Sequence, residues 1–184
     1  MIRLLSSVVG FVLAASLCMT SNAAAMEKSR KMELPKTISD SLPWFAAREF
    51  SENMVPFTRS HLAKIAKKSD RTALVYFATW CVPCRAGIKR LVANIDQLQK
   101  NKVSVVLVNI GERDELVKKW IEKMNITQFT IVHDPFKRLT EGLGLVKEGE
   151  EISLPRTVVL DNNLKPLFML GEEGNDWPQI LWSK

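Results

Sequence analysis

Between Ala73 and Gln99 the hydrophobic pattern changes its period once, and that change limits the folds open to the chain. Ala73-Leu74-Val75-Tyr76-Phe77-Ala78 is an apolar run rich in β-branched and aromatic side chains, which predicts a buried strand. After Trp80, Ile88, Leu91, Val92, Ile95 and Leu98 recur at spacings of three and four, which predicts an amphipathic helix running to about residue 100. Cys81-Val82-Pro83-Cys84 falls on the junction, so two thiols sit where a strand becomes a helix.

The first turn of a helix carries unpaired backbone N–H groups and the positive end of the dipole, so it favours an anion. Cys81 lies there, and its thiolate is expected to form more readily than that of a free cysteine. Pro83 suits the same turn, because its fixed φ matches the helix and its missing N–H has no partner to lose. Cys84 is one turn further in, more enclosed, and near enough to Cys81 for a disulfide. Cys81 is therefore the attacking thiol and Cys84 the resolving one. Three other uses of the pair stay open: a structural disulfide, which so short a loop rewards little; a zinc site, for which the other candidate ligands are His61 and His133; and a transient Cu(I) site.

Phe77-Ala78-Thr79-Trp80-Cys81-Val82-Pro83-Cys84-Arg85-Ala86 resembles the active site of the thioredoxin superfamily, and most closely its membrane-tethered or exported TlpA-like branch. The resemblance is specific over residues 72 to 100, extends to about 170 and is absent before about 57. It implies an α/β thioredoxin-like fold, a central mixed sheet flanked by helices, and thiol–disulfide exchange through a Cys81/Cys84 redox-active disulfide. Trp80, Val82, Pro83, Leu154 and Pro155 are the substrate-binding residues it implies. Ser153-Leu154-Pro155-Arg156-Thr157 is similar to the loop in which a cis-proline faces the dithiol. There the backbone of Leu154 would pair with an extended substrate segment while Cys81 attacks. Arg156 either turns toward Cys81, where it favours a thiolate, or is a solvated charge at the loop edge.

The chain has 184 residues, 46% hydrophobic and 25% charged, which suits one globular domain with appendages. Its net charge of +6 is spread among scattered lysines, a pattern that argues against nucleic-acid binding. Arg3, the apolar run Leu4 to Met19 and the small residues Ser21 to Ala25 read as a signal peptide over residues 1–25, with a retained membrane anchor or tether as the alternative. Removal of this leader takes Cys18 with it and leaves Cys81 and Cys84 as the only cysteines, so the protein is not a disulfide-stapled scaffold. A lone exposed dithiol in an oxidising compartment is either kept reduced by a donor or acts as an oxidant.

Residues 26–56 read as an N-terminal extension whose aromatics Trp44, Phe45 and Phe50 dock on a domain spanning 57–184. A short helix is expected after Ser60 as N-cap. Val103 to Ile110 is a second buried strand, parallel to the first because a helix connects them. Next come a helix burying Leu116, Trp120, Ile121 and Met124, a strand from Phe129 to Val132, and a short helix from Pro135 to Leu143. This additional helix and strand before Pro155 is a feature that TlpA-like and peroxiredoxin-like proteins share. A hairpin turning at Asp161-Asn162-Asn163 with Lys165 to Leu170 as its second strand follows, and a helix from Asp176 to Trp182 closes the chain.

Plain thioredoxins resemble this chain except that they carry a buried carboxylate and a lysine where Val75 and Leu107 stand here. TlpA-like reductases often have a glutamate at the place of Gly87. No general base for Cys84 is evident, and Gly87 marks a close approach by the extension or a partner. His61 and His133 are read as having no chemical role, His133 being a surface or strand-end residue. The reading is an exported, periplasmic thiol–disulfide oxidoreductase that reduces protein disulfides, is supplied by an upstream membrane electron donor, and requires no cofactor or metal. A Cu(I)-handling or partner-binding module with little turnover is the alternative.

Overall fold

The computed structural model describes residues 30–36, 38, 42, 44–50, 54–146 and 149–183. Residues 1–25, read as a signal peptide or anchor, lie outside these residues. Among the described residues, eight strands form one mixed sheet: β1 (Lys31–Met32), β2 (Ala46–Glu49), β3 (Pro56–Thr58), β4 (Arg71–Phe77), β5 (Val103–Ile110), β6 (Thr130–Asp134), β7 (Arg156–Asp161) and β8 (Pro166–Leu170). Their spatial order is β1-β8-β7-β4-β5-β6-β2-β3. The three central strands β4, β5 and β6 run parallel, and the outer pairs are antiparallel.

Strand alternation divides the core between the two faces of the sheet. Ala73, Val75 and Phe77 of β4 face a layer made by α2 (Val82–Ala93), α3 (Ile95–Lys100), α4 (Asp114–Met124) and α6 (Trp177–Trp182). Leu74 and Tyr76 face α1 (Arg59–Ala66) and α5 (Arg138–Gly142). Ile88 and Leu91 of α2 are wholly buried, each contributing about 1.5–3 kcal/mol of transfer free energy, and they seat the helix on the sheet.

The expected elements form, with four local differences. The helix after Cys81 breaks at Asn94, whose Nδ2 donates to the Arg90 carbonyl at 2.8 Å, and resumes as α3. Thr58 rather than Ser60 caps α1, and its backbone N–H donates to Nδ1 of His61 at 3.2 Å, which gives that histidine a structural task. On α4 the buried stripe runs through Val117, Trp120 and Ile121, whereas Leu116 is exposed. Finally, residues before 57 enter the sheet itself: β2 pairs with β6, and Phe45 is buried against the tilted ring of Phe57.

Candidate active site

The β4–α2 junction is held from a neighbouring strand end. Glu112, just after β5, accepts hydrogen bonds from the Thr79 N–H at 2.7 Å, the Thr79 hydroxyl at 2.6 Å and Asn109 Nδ2 at 2.7 Å. Asn109 is fully buried and pairs in register with Phe77, so the carboxylate ties the turn to both central strands. Glu112 was not legible as part of the site. An acidic residue following glycine at the C-terminal end of a parallel strand is the signal that could have found it.

Within this turn the Cys81 N–H donates to the Ala78 carbonyl at 3.1 Å, and Cys81 becomes the N-cap of α2. Its Sγ accepts the N–H of Cys84 at 3.2 Å, the geometry that stabilises negative charge on a capping atom. Pro83 sits in the first helical turn, where its missing N–H leaves no bond broken. The two sulfurs are joined in a disulfide across a Cα–Cα distance of 5.3 Å.

The disulfide is less exposed than the sequence suggests. Cys84 is fully buried and Cys81 is 3% exposed, because Cys84 shares the sheet-facing stripe of α2 with Ile88 and Leu91. What the site presents to solvent is its apolar flank: Trp80 is 69% exposed, Val82 63%, and Pro83 is exposed beside them. Such a flank suits an approaching apolar or extended chain segment.

The peptide bond between Leu154 and Pro155 is cis, as the sequence predicts. Tyr76 pairs with Arg156, which places Pro155 alongside the end of β4, where the chain turns toward Cys81. Leu154 is half-buried and packs against both cores. The seven residues singled out from the sequence therefore converge at one end of the sheet. Arg156 is half-buried at the loop edge, which lowers the pKa of its guanidinium, and Nη1 contacts the sulfur of Met32 on β1.

Val75 and Leu107, the apolar replacements noted in the sequence, are paired neighbours and both fully buried. Among the described residues, the close approach at Gly87 comes from the segment after β8. Glu173, in the turn after β8, fills the space a Cβ on Gly87 would occupy, with its Cδ at 2.9 Å and its Cβ at 3.0 Å from that point. Glu173 is 5% exposed, and burial raises its pKa well above the ordinary value against opposing contributions from Thr157 and Arg90. Oε1 accepts from the Thr157 hydroxyl at 3.3 Å, and Arg90 Nη1 donates to the Glu173 carbonyl at 2.7 Å. Sequence reasoning missed this residue because nothing in Gly171-Glu172-Glu173-Gly174 distinguishes a buried acid from a solvated turn.

His133 is not a surface residue. It is 1% exposed, stacks on Phe50 at 5.3 Å and has Nδ1 2.7 Å from Asp114 Oδ1. Burial lowers its pKa; Asp114 acts in the opposite sense and Arg48 adds to the lowering. Nδ1 therefore carries the proton donated to Asp114, which also holds Arg48 at 3.2 Å. This cluster fastens β2 to β6 and is not assembled with the cysteines.

The profile of the AhpC/TSA family matches residues 40–165. The thiol-disulfide oxidoreductase ResA of Geobacillus thermodenitrificans is 30% identical over 92 residues, covering 50% of this chain and 49% of that protein. The chain thus spans about half the length of that curated relative. Among solved structures, a secreted thiol-disulfide isomerase of Corynebacterium glutamicum superposes with a TM-score of 0.62 at 18% identity, over 77% of this chain and 82% of its own. StoA of Bacillus subtilis gives 0.57 at 18% identity, over 79% of this chain and 100% of its own. The thioredoxin domain of a thiol-disulfide oxidoreductase from Bacteroides vulgatus gives 0.59 at 14% identity, over 77% and 92%. These likenesses establish the thioredoxin-like fold.

Proposed function

Because the chain belongs to the AhpC/TSA family, we propose that it is a thiol–disulfide oxidoreductase whose reactive pair is Cys81 and Cys84. One observation carries the reading: Cys81 caps α2 with its sulfur accepting the Cys84 N–H, while Cys84 waits fully buried behind it. A disulfide placed elsewhere for stability would need neither the helix terminus nor the exposed Trp80 and Val82.

In the reduced protein the Cys81 thiolate attacks one sulfur of a protein disulfide, forms a mixed disulfide and expels the other substrate sulfur as a thiolate. The Cys84 thiolate then attacks Cys81 Sγ, re-forms the intramolecular disulfide and releases the second substrate sulfur with its electron pair. Two electrons pass to the substrate, and the reverse sequence oxidises a dithiol. No cofactor takes part, since electrons return through the cysteines of an upstream membrane donor. Trp80, Val82 and Pro83 form the apolar contact, and the backbone of Leu154, beside Pro155, pairs with the substrate segment. The reducing direction and a periplasmic location are parts of the same proposal. The leader-like pattern of residues 1–25 supports the location, and the resemblance to TlpA-like reductases supports the direction. Residues 57–184 then form the catalytic unit and residues 26–56 its extension.

The test is insulin reduction by the protein purified from its native host, together with capture of partners by Cys84→Ser. Turnover that disappears in Cys81→Ser, with Cys84→Ser accumulating mixed disulfides to exported proteins, is the expected outcome. Undiminished turnover in Cys81→Ser, or stoichiometric Cu(I) retention without turnover, overturns it. N-terminal sequencing of the same preparation decides between a cleaved and a retained leader.

A further inference from the structure

Resolution by Cys84 requires that a fully buried thiol lose its proton away from bulk solvent. A carboxyl group stands ready nearby. Gly87 lies three residues after Cys84 on the same buried face of α2, and side-chain origins at that spacing are about 5–6 Å apart. Oε2 of Glu173 occupies the side-chain origin that Gly87 lacks, and among the described residues it makes no hydrogen bond. Oε1 is held by Thr157, which pairs with Val75 on the strand leading to the cysteines, so the carboxyl is fixed against the sheet rather than free to swing out.

We propose that Glu173 exchanges the proton of Cys84 during thiol–disulfide exchange, directly or across one water, a role made possible by the missing side chain at Gly87. The inference rests on the activity proposed above. In the reducing direction the Cys84 S–H bond breaks, its proton goes to the Glu173 carboxylate, and the sulfur keeps the electron pair with which it attacks Cys81. The new Cys81–Cys84 bond expels the substrate thiolate. In the oxidising direction the protonated carboxyl returns the proton to Cys84 as it leaves Cys81.

The surroundings fit a group that changes charge. On α2 it meets the bare backbone of Gly87, and the Arg90 guanidinium binds the Glu173 carbonyl and stays close enough to favour the carboxylate. On β4 and β7 the neighbours are the neutral Val75 and Thr157, and Arg156 of β7 is directed to Met32. On α6 the following residues bring the neutral Trp177, which is fully buried. Burial outweighs the single cation, so the acid holds its proton well above the pH at which an exposed glutamate releases it. A proton acceptor whose affinity approaches that of a thiol is the efficient one.

A stopped-flow reaction of the reduced full-length protein with a nitrobenzoate aryl disulfide separates the steps. The first coloured thiolate reports attack by Cys81 and the second reports resolution by Cys84. Glu173→Gln keeps the shape and removes the titration. It is expected to leave the first release unchanged, to slow the second about a hundredfold near neutral pH, and to abolish the pH inflection of the second. Glu173→Asp, which draws the carboxyl back by one methylene, should retain the inflection with an intermediate rate and serves if the glutamine variant does not fold. A second release unaltered in rate and pH profile in either folded variant overturns the proposal. If the wild-type protein gives no first release that Cys81→Ser removes, the parent reading fails instead, a distinct result.

Discussion

Replacing Gly87 by alanine tests the packing of Glu173 against α2 without reference to chemistry. In an unobstructed helix interior this change stabilises by about 1 kcal/mol, because glycine is the poorer helix former. Here the new methyl group would lie 3.0 Å or closer to three atoms of the Glu173 side chain, Oε2, Cδ and Cβ, which is nearer than van der Waals contact. The carboxyl has no open route to solvent, being almost wholly buried and tied to Thr157, and overpacking of this kind costs about 1–3 kcal/mol. Gly87→Ala is therefore expected to destabilise the wild-type protein by about 0–2 kcal/mol. In a Glu173→Ala background the obstacle is gone, and the same substitution should stabilise by about 1 kcal/mol. The coupling between the two sites is then about 1–3 kcal/mol. Urea unfolding of the four oxidised proteins, compared by midpoint at constant slope, measures it. Equal stabilisation by alanine in both backgrounds would refute the packing account.

Stability of the wild-type protein relative to Glu173→Gln should fall as pH rises. The folded pKa of Glu173 is raised, so its contribution is complete below the unfolded value near 4.5 and is lost as pH climbs through the folded one; unfolding curves across that range check this. His133 has the opposite sign. Its folded pKa is lowered, so the cluster with Asp114 weakens as pH falls from the ordinary 6.5 through the folded value, and His133→Gln should flatten that part of the acid profile. Glu112→Ala removes three hydrogen bonds at the β4–α2 turn and should cost about 1–3 kcal/mol in unfolding, with hydrogen exchange at Thr79 accelerated most. Phe45→Ala should cost about 3–5 kcal/mol, as expected of a core aromatic, whereas Trp44→Ala, at a site 80% exposed, should be nearly neutral in the same assay.

The strand, helix and dithiol at residues 73 to 93 were legible because one hydrophobic period gives way to another where cysteine and proline fix the boundary. Pro155 was legible through the resemblance of its loop to that of the thioredoxin superfamily, and its peptide bond is cis. The polar members were not. Glu112 and Glu173 act through distant partners, Thr79 and Thr157, and only the β4–β5 and β4–β7 registers bring those together. His133 misled for a related reason. A histidine before Asp134-Pro135 looks like a strand end, yet β2, contributed by a segment read as an appendage, covers it with Phe50 and Arg48.

That segment also sets the order in which the molecule can be completed. β1 borders β8 at one rim of the sheet, with Lys31 opposite Leu170, while β2 and β3 border β6 at the other. The first strands to emerge during synthesis thus find partners encoded far downstream: β2 and β3 can settle once β6 is made, whereas β1 waits for β8 in the last hairpin. A nascent or C-terminally shortened chain would hold two bare backbone edges at once, each able to recruit a stray strand. Any helper that shields this protein before maturity would be needed along those edges.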